Sequence, residues 1–146
     1  MWYFVSAAAL TADRLLKRQA RANQLPAADG FIEFQHIEND GLAGSTLRSH
    51  PQLVKALPCA AFGINLPVLL HGFRKQNCPA KCGIALLLAG SGSNIYDRLK
   101  QGSVTDMLRF PKAPGRGKTL VFNVADFMIF LGALLTLLFH HPKSKR

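Results

Sequence analysis

Carboxylates are scarce in this chain. Eight Asp and Glu stand against 18 Lys and Arg in 146 residues, a formal net charge of +10. Cysteine is scarce too, with three residues, Cys59, Cys78 and Cys82. An odd number excludes a closed disulfide framework. Cys78 and Cys82 lie four apart with few histidines nearby, whereas a metal site uses tighter pairs and two further ligands. They read as small apolar fillers and loop thiols. His140 and His141 are adjacent, so on a helix they diverge by about 100° and share no ion; they mark a membrane surface instead. No metal or organic cofactor is indicated. The chain also lacks an arginine-rich helix with interleaved aromatics, so its basic charge does not point to nucleic acid. MWYFVSAAAL at the start has no basic stretch before it and is not read as a secretory signal.

What is present is segregation. Apolar residues make up 49% of the chain and mean hydropathy is only +0.12, yet the apolar residues fall in blocks with the charges between them. That pattern belongs to a membrane protein, whose basic segments suit anionic headgroups. The expected fold is an all-α membrane protein: a single polytopic domain over residues 1–146, with spans at about 1–21, 51–73, 79–97 and 120–140. The first apolar run is short for a span, so its helix ends early, tilts, or lacks residues at its start. Asp13 and Lys17, at i and i+4, form either a plain surface pair or a pair at a membrane face that needs further partners. Residues 23–51 contain FIEFQHI and then NDG, which predict a small extramembrane β platform between helices 1 and 2. Pro58 and Pro67 fall inside the second span, which membrane helices tolerate. AGSGS, at 89–93, permits close helix contact. PKAPGRG predicts an irregular loop.

Four spans put both termini on one side. The 74–81 loop and the tail, which share a face with the termini, carry fewer cations than the opposite face. That face has Arg14, Lys17, Arg18, Arg21, Arg48, Arg98, Lys100, Arg109, Lys112, Arg116 and Lys118. Counting cations alone would therefore place the termini outside.

Acids and amides at the mouths of apolar helices are costly and ask for a function. Asn94, Asp97 and Arg98 share a helix face at i, i+3, i+4. Asn123 and Asp126 also read as an ordinary capped helix start, and Asp106 as a turn or cap acid. Gathered at one membrane face, they argue for chemistry.

SNIYDRLKQGSVTDM followed by FNVAD resembles the lipoprotein signal peptidase (signal peptidase II) family. Its blocks run roughly GN-x-x-DR, G-x-V-x-DF and FN-x-AD. ADRLLK resembles the family's D-Q-x-x-K at the end of its first span, and NDGLAGS its N-x-G-A-A-F-S turn. The resemblance implies a four-span enzyme of the bacterial inner membrane, an aspartic endopeptidase that removes signal peptides from diacylglyceryl-modified prolipoproteins. Asp106 and Asp126 would be its catalytic pair. Asn39, Asn94, Asp97, Arg98 and Asn123 would be the supporting polar shell, while Asp13, Lys17 and Gly41 would be structural. The active site would face the periplasm, against the cation count. The protein would be a monomer among membrane lipids, with no nucleic-acid partner. The sequence departs from the pattern at Met107, where the family has Phe, and at Leu42, Ala43 and Gly44. An alternative is a divergent, non-catalytic relative that binds lipidated peptides or membrane partners. The helix start at Asn123 favours the charged form of Asp126, so Asp126 is expected to be the base and Asp106 to hold the proton.

Overall fold

A computed structural model describes residues 2–25, 30–42, 46–47, 49–73 and 76–139. Four helices alternate with three strands: α1 (Trp2–Arg21), β1 (Glu33–Asn39), α2 (Pro51–Phe73), α3 (Cys78–Gln101), β2 (Val104–Arg109), β3 (Val121–Phe122) and α4 (Val124–Phe139). A 3-10 turn, Gly115–Thr119, follows the irregular PKAP segment before β3. Helices α1, α3 and α4 each have one end at the sheet. β1 precedes α2, β2 follows α3, β3 leads into α4, and Arg21 at the end of α1 donates to Thr105 Oγ1 of β2 at 2.9 Å. Ala43, Gly44 and the tail residues His140 and His141 lie outside the described residues.

The sheet is antiparallel in the order β1-β2-β3. Only one of its strands comes from the segment between helices 1 and 2. Asn39 pairs with Val104, Ile37 with Asp106, and Leu108 with Phe122. The register slips between Phe34 and Ile37, which is why FIEFQHI lacks a strict alternation. β2 hides in the sequence for another reason. Its first four residues, Val104 to Met107, are all buried, so polar and apolar positions do not alternate with exposure.

Local signals set the helix ends. Asn77 caps α3 by accepting from Ala80 N at 3.0 Å, and Gly102 closes it in the left-handed conformation at φ 88°. α3 therefore runs past residue 97 to Gln101. α4 starts later than residue 120 because Val121 and Phe122 are paired to β2. α1 continues through its basic turns to Arg21. Among the described residues, α2 is the one helix long and apolar enough to cross a membrane by length and composition, over Pro51–His71; α4 is apolar but shorter. Large apolar side chains cover the outside of the bundle, with Ile64, Phe130 and Leu137 each more than 70% exposed. Such a surface is adapted to hydrocarbon and not to water.

α3 and α4 meet backbone to backbone. A Cβ on Gly132 would lie 2.6 Å from both Gly83 O and Leu87 N. Close approach through small residues is how helices gain packing in lipid. At Gly92, by contrast, a Cβ would meet nothing within 4 Å. Overpacking commonly costs about 1–3 kcal/mol, and here the obstacle is backbone that cannot swing aside. Gly132→Val is expected to destabilise by about 3 kcal/mol or more, whereas Gly92→Ala is neutral or stabilising. Thermal unfolding of the two variants in the same detergent checks the contrast.

Candidate active site

The polar centre begins on α1. Asp13, Arg14, Lys17 and Arg21 repeat at helical spacing, so they present one stripe to α3. Lys17, only 1% exposed, reaches Asp13 Oδ2 at 3.0 Å, Asp97 Oδ2 at 2.8 Å and Asn94 Oδ1 at 2.9 Å. Asp13, fully buried, accepts from Ser93 Oγ at 2.6 Å and from Ala125 N at 2.9 Å. The second contact satisfies one of the backbone N–H groups that the start of α4 leaves without a helical partner. Asp97 also takes Arg14 Nη1 at 2.7 Å and Arg21 Nη2 at 3.4 Å. Of the two readings of Asp13 and Lys17, the buried pair with further partners is the one found.

Three asparagines carry this network to Asp106 and Asp126. Asn94 Oδ1 accepts from Lys17, so its Nδ2 turns to Asp126 Oδ1 at 2.9 Å. Asn39 Oδ1 accepts from Gly41 N at 3.1 Å, and its Nδ2 reaches Asp106 Oδ2 at 2.9 Å. Asn123 Oδ1 accepts from Asp126 N at 3.0 Å, and its Nδ2 reaches Asp106 Oδ1 at 2.6 Å. Each amide oxygen is held by an N–H donor, which fixes where its NH₂ must point. Asp126 Oδ2 accepts in turn from Asn123 N at 3.0 Å, completing a reciprocal cap at the start of α4. All four carboxylate oxygens thus accept an N–H, and Asn123 bridges the two acids.

Both acids line one cavity of about 460 Å³, together with Asn39, Asn94 and Arg98. A second, mostly apolar cavity of about 400 Å³ adjoins it at Asn94, Arg98 and Ile129 and is walled by α2, α3 and α4. Burial raises the Asp106 carboxyl from 3.8 to about 6, helped by the charge of Asp126 and opposed by the hydrogen bonds from Asn39 and Asn123.

The structure brings Asn39, Asn94, Arg98, Asp106 and Asp126 to the cavity wall, with Asn123 directly behind the acids. Asp97 does not line it and faces α1 instead. Its neighbour Arg98 turns the other way and donates Nη2 to Gly41 O at 3.1 Å, tying α3 to the turn after β1. Met107 is fully buried, so that departure from the family pattern falls in the core and not on the cavity. Sequence reasoning missed Arg14, Arg21 and Ser93 as partners of the buried acids. The stripe of residues 14, 17 and 21 held the signal for the two arginines. Nothing local marked Ser93 beyond its small size. Among the described residues, no three His, Cys, Asp or Glu side chains gather as a metal site requires, and Cys59, Cys78 and Cys82 are free thiols.

A family model described as signal peptidase (SPase) II matches residues 5–141. A lipoprotein signal peptidase of Dehalococcoides mccartyi is 31% identical over 97% of this chain and 90% of its own. Another, from Shewanella sp. strain MR-4, is 32% identical over 99% and 89%. Among solved structures, a bacterial membrane enzyme determined in meso at 2.3 Å superposes with a TM-score of 0.78 at 21% identity, over 94% of this chain and 85% of that one. A second such enzyme, at 1.9 Å, gives 0.75 at 20% identity over 94% and 90%.

Proposed function

The chain belongs to the signal peptidase II family, and from that premise we propose that it is an aspartic endopeptidase cutting signal peptides from diacylglyceryl-modified prolipoproteins at the membrane surface. One observation carries the catalytic type. Asp106 on β2 and Asp126 on α4, 20 positions apart, share one cavity at the sheet end of the bundle.

Two neighbouring carboxyls do not both ionise cheaply, so one keeps a proton. Asp106, raised to about 6, is the acid. Asp126, seated at the start of α4 on the Asn123 N–H, is the base. Asp126 takes a proton from water as the water oxygen attacks the scissile carbonyl carbon, and protonated Asp106 gives its proton to the carbonyl oxygen. Asp126 then delivers its proton to the amide nitrogen, the C–N bond breaks, and Asp106 recovers a proton from the collapsing diol. Arg98, which lines both cavities, borders the route from the apolar cavity to the acids. The apolar cavity receives the hydrophobic segment of the substrate.

The protein acts as a monomer with four spans in the bacterial inner membrane and its acids toward the periplasm. That orientation runs against the cation count, although Arg14, Lys17, Arg21 and Arg109 at that end are each paired with a carboxylate. Cleavage of a diacylglyceryl-modified lipobox peptide by the purified protein is the direct test; an unlipidated peptide cut equally well would sink the substrate assignment.

The acid role of Asp106 sets a pH dependence. Its proton is present below about 6 and is lost above it, so the cleavage rate falls as pH rises through that value. Asn39 stabilises the charged form through its hydrogen bond, so Asn39→Ala moves the falling limb to higher pH. A pH–rate profile of the two proteins reads the shift; a limb that stays put, or moves down, removes Asp106 from the acid role.

A further inference from the structure

Around α3 from the apolar cavity, and meeting it at Leu88, a groove of about 450 Å³ runs between α1 and α3, lined by Leu10, Arg14, Leu88, Ala89, Gly92 and Tyr96 among others. It shares no wall residue with the cavity holding Asp106 and Asp126. α1 and α3 both point their C-terminal ends at the sheet. Along α1 the stripe reads Leu10, Arg14, Arg18; along α3 it reads Ala89, Gly92, Tyr96, Lys100. Both stripes step by three or four residues and so stay on one face. Both pass in the same direction, from apolar, to an aromatic or cation at the middle, to a cation at the end. This is the order of a bilayer leaflet, with chains below, Tyr at the interface and phosphate above.

The mouth is cationic. Tyr96 has the Arg14 guanidinium carbon 4.4 Å and the Lys100 ammonium 5.6 Å from its ring centre. Arg14 donates one N–H to Asp97 and, among the described residues, no other hydrogen bond. Arg18 and Lys100 are exposed, and among the described residues neither has a carboxylate in ion-pair range. The floor is open, since a Cβ on Gly92 would meet nothing within 4 Å.

We propose that this groove is a binding site for one anionic phospholipid, its acyl chain lying over Gly92 and Ala89 and its phosphate between Arg18 and Lys100 beside Tyr96. The occupant follows from charge complementarity at the mouth together with an apolar floor. The proposal does not rest on the peptidase reading, since the groove shares no wall residue with the cavity of the two acids.

The test uses the full chain in detergent micelles doped with phosphatidylglycerol or phosphatidylcholine, with bound lipid counted by native mass spectrometry and thermal midpoints measured alongside. Phosphatidylglycerol is expected to be retained in preference to phosphatidylcholine and to raise the midpoint. Each cation near a headgroup contributes roughly fivefold to affinity, so Arg18→Gln with Lys100→Gln weakens phosphatidylglycerol retention roughly 30-fold. Gly92→Leu, whose Cβ meets nothing within 4 Å, fills the floor and abolishes retention while the lipid-free midpoint holds. Equal retention of both lipids overturns the proposal, as does undiminished retention by Gly92→Leu. A midpoint rise of full size with glycerol 3-phosphate alone also overturns it, because the ligand would then be a free phosphate ester and not a lipid. Loss of lipid-free stability in the double variant, with phosphatidylglycerol retention unchanged, assigns the two cations to the helix C-terminal dipoles instead.

Discussion

Asp106→Asn and Asp126→Asn each lower cleavage of a diacylglyceryl-modified lipobox peptide by roughly 10³-fold or more, the scale on which acid–base groups contribute, and the protein remains folded. Each substitution keeps the side-chain volume and removes the group that must hold or accept a proton. Folding survives because neither acid anchors the bundle. Asp106 accepts two side-chain amides and Asp126 one amide and one backbone N–H, while the contacts between α1 and α3 pass through Asp13, Lys17 and Asp97. Some stability moves all the same. The amide introduced by Asp106→Asn would set its NH₂ against that of Asn39 or Asn123, whose own oxygens are held in place, an unfavourable contact. Against that, the cost of an ionised carboxyl in a buried site disappears above about pH 6. Because the two acids act as one unit, the double variant should be no slower than the worse single one. A single variant that keeps a tenth of the parent rate, with thermal unfolding unchanged, would remove that residue from the chemistry and leave the non-catalytic relative as the better reading.

The helices were legible because their signals are local. Apolar runs mark the spans and Asn123 caps α4, but the caps Asn77 and Gly102 went unread, so α3 was expected to end near 97 and runs to Gln101. The sheet was only half legible. β1 announces itself by composition, but β2 becomes a strand only through pairing with β1, which is distant in sequence: Asn39 pairs with Val104 and Ile37 with Asp106. Its inward residues include Thr105 and Asp106, whose polarity argues against burial until their partners are known. The site divides in the same way. The acids and amides stood out because such residues are costly at helix mouths. Which way each faces did not follow from spacing. Asp97 and Arg98 are consecutive, yet one serves α1 and the other holds Gly41. Spacing fixes a face of one helix, whereas the neighbour that face meets depends on how the whole bundle packs. Ser93 shows the limit most clearly. It looked like a residue chosen for smallness, and its hydroxyl is a close hydrogen-bond donor to Asp13.

Lys17→Met should be strongly destabilising. Removing one partner of a buried ion pair typically costs about 3–5 kcal/mol because the other charge stays behind unpaired. Here the burden falls on Asp13, since Asp97 still has Arg14 and Arg21, but Asp13 keeps only Ser93 and the Ala125 N–H. Neutralising the stranded acid should therefore restore much of the loss. Lys17→Met with Asp13→Asn is expected to unfold at a higher temperature than Lys17→Met alone, a coupling that a double-variant cycle measures. Activity should fall further than stability explains. Without Lys17, Asn94 loses the donor that holds its oxygen, so its NH₂ is no longer forced toward Asp126. Asp13 also pins Ala125, the residue before Asp126, so loosening α1 loosens the base itself. In the double variant stability returns while the Asn94 orientation does not, and the cleavage rate should stay well below that of the parent. If rate and melting temperature instead recover together, Lys17 is a strut for the bundle and has no part in aiming the amide at the base.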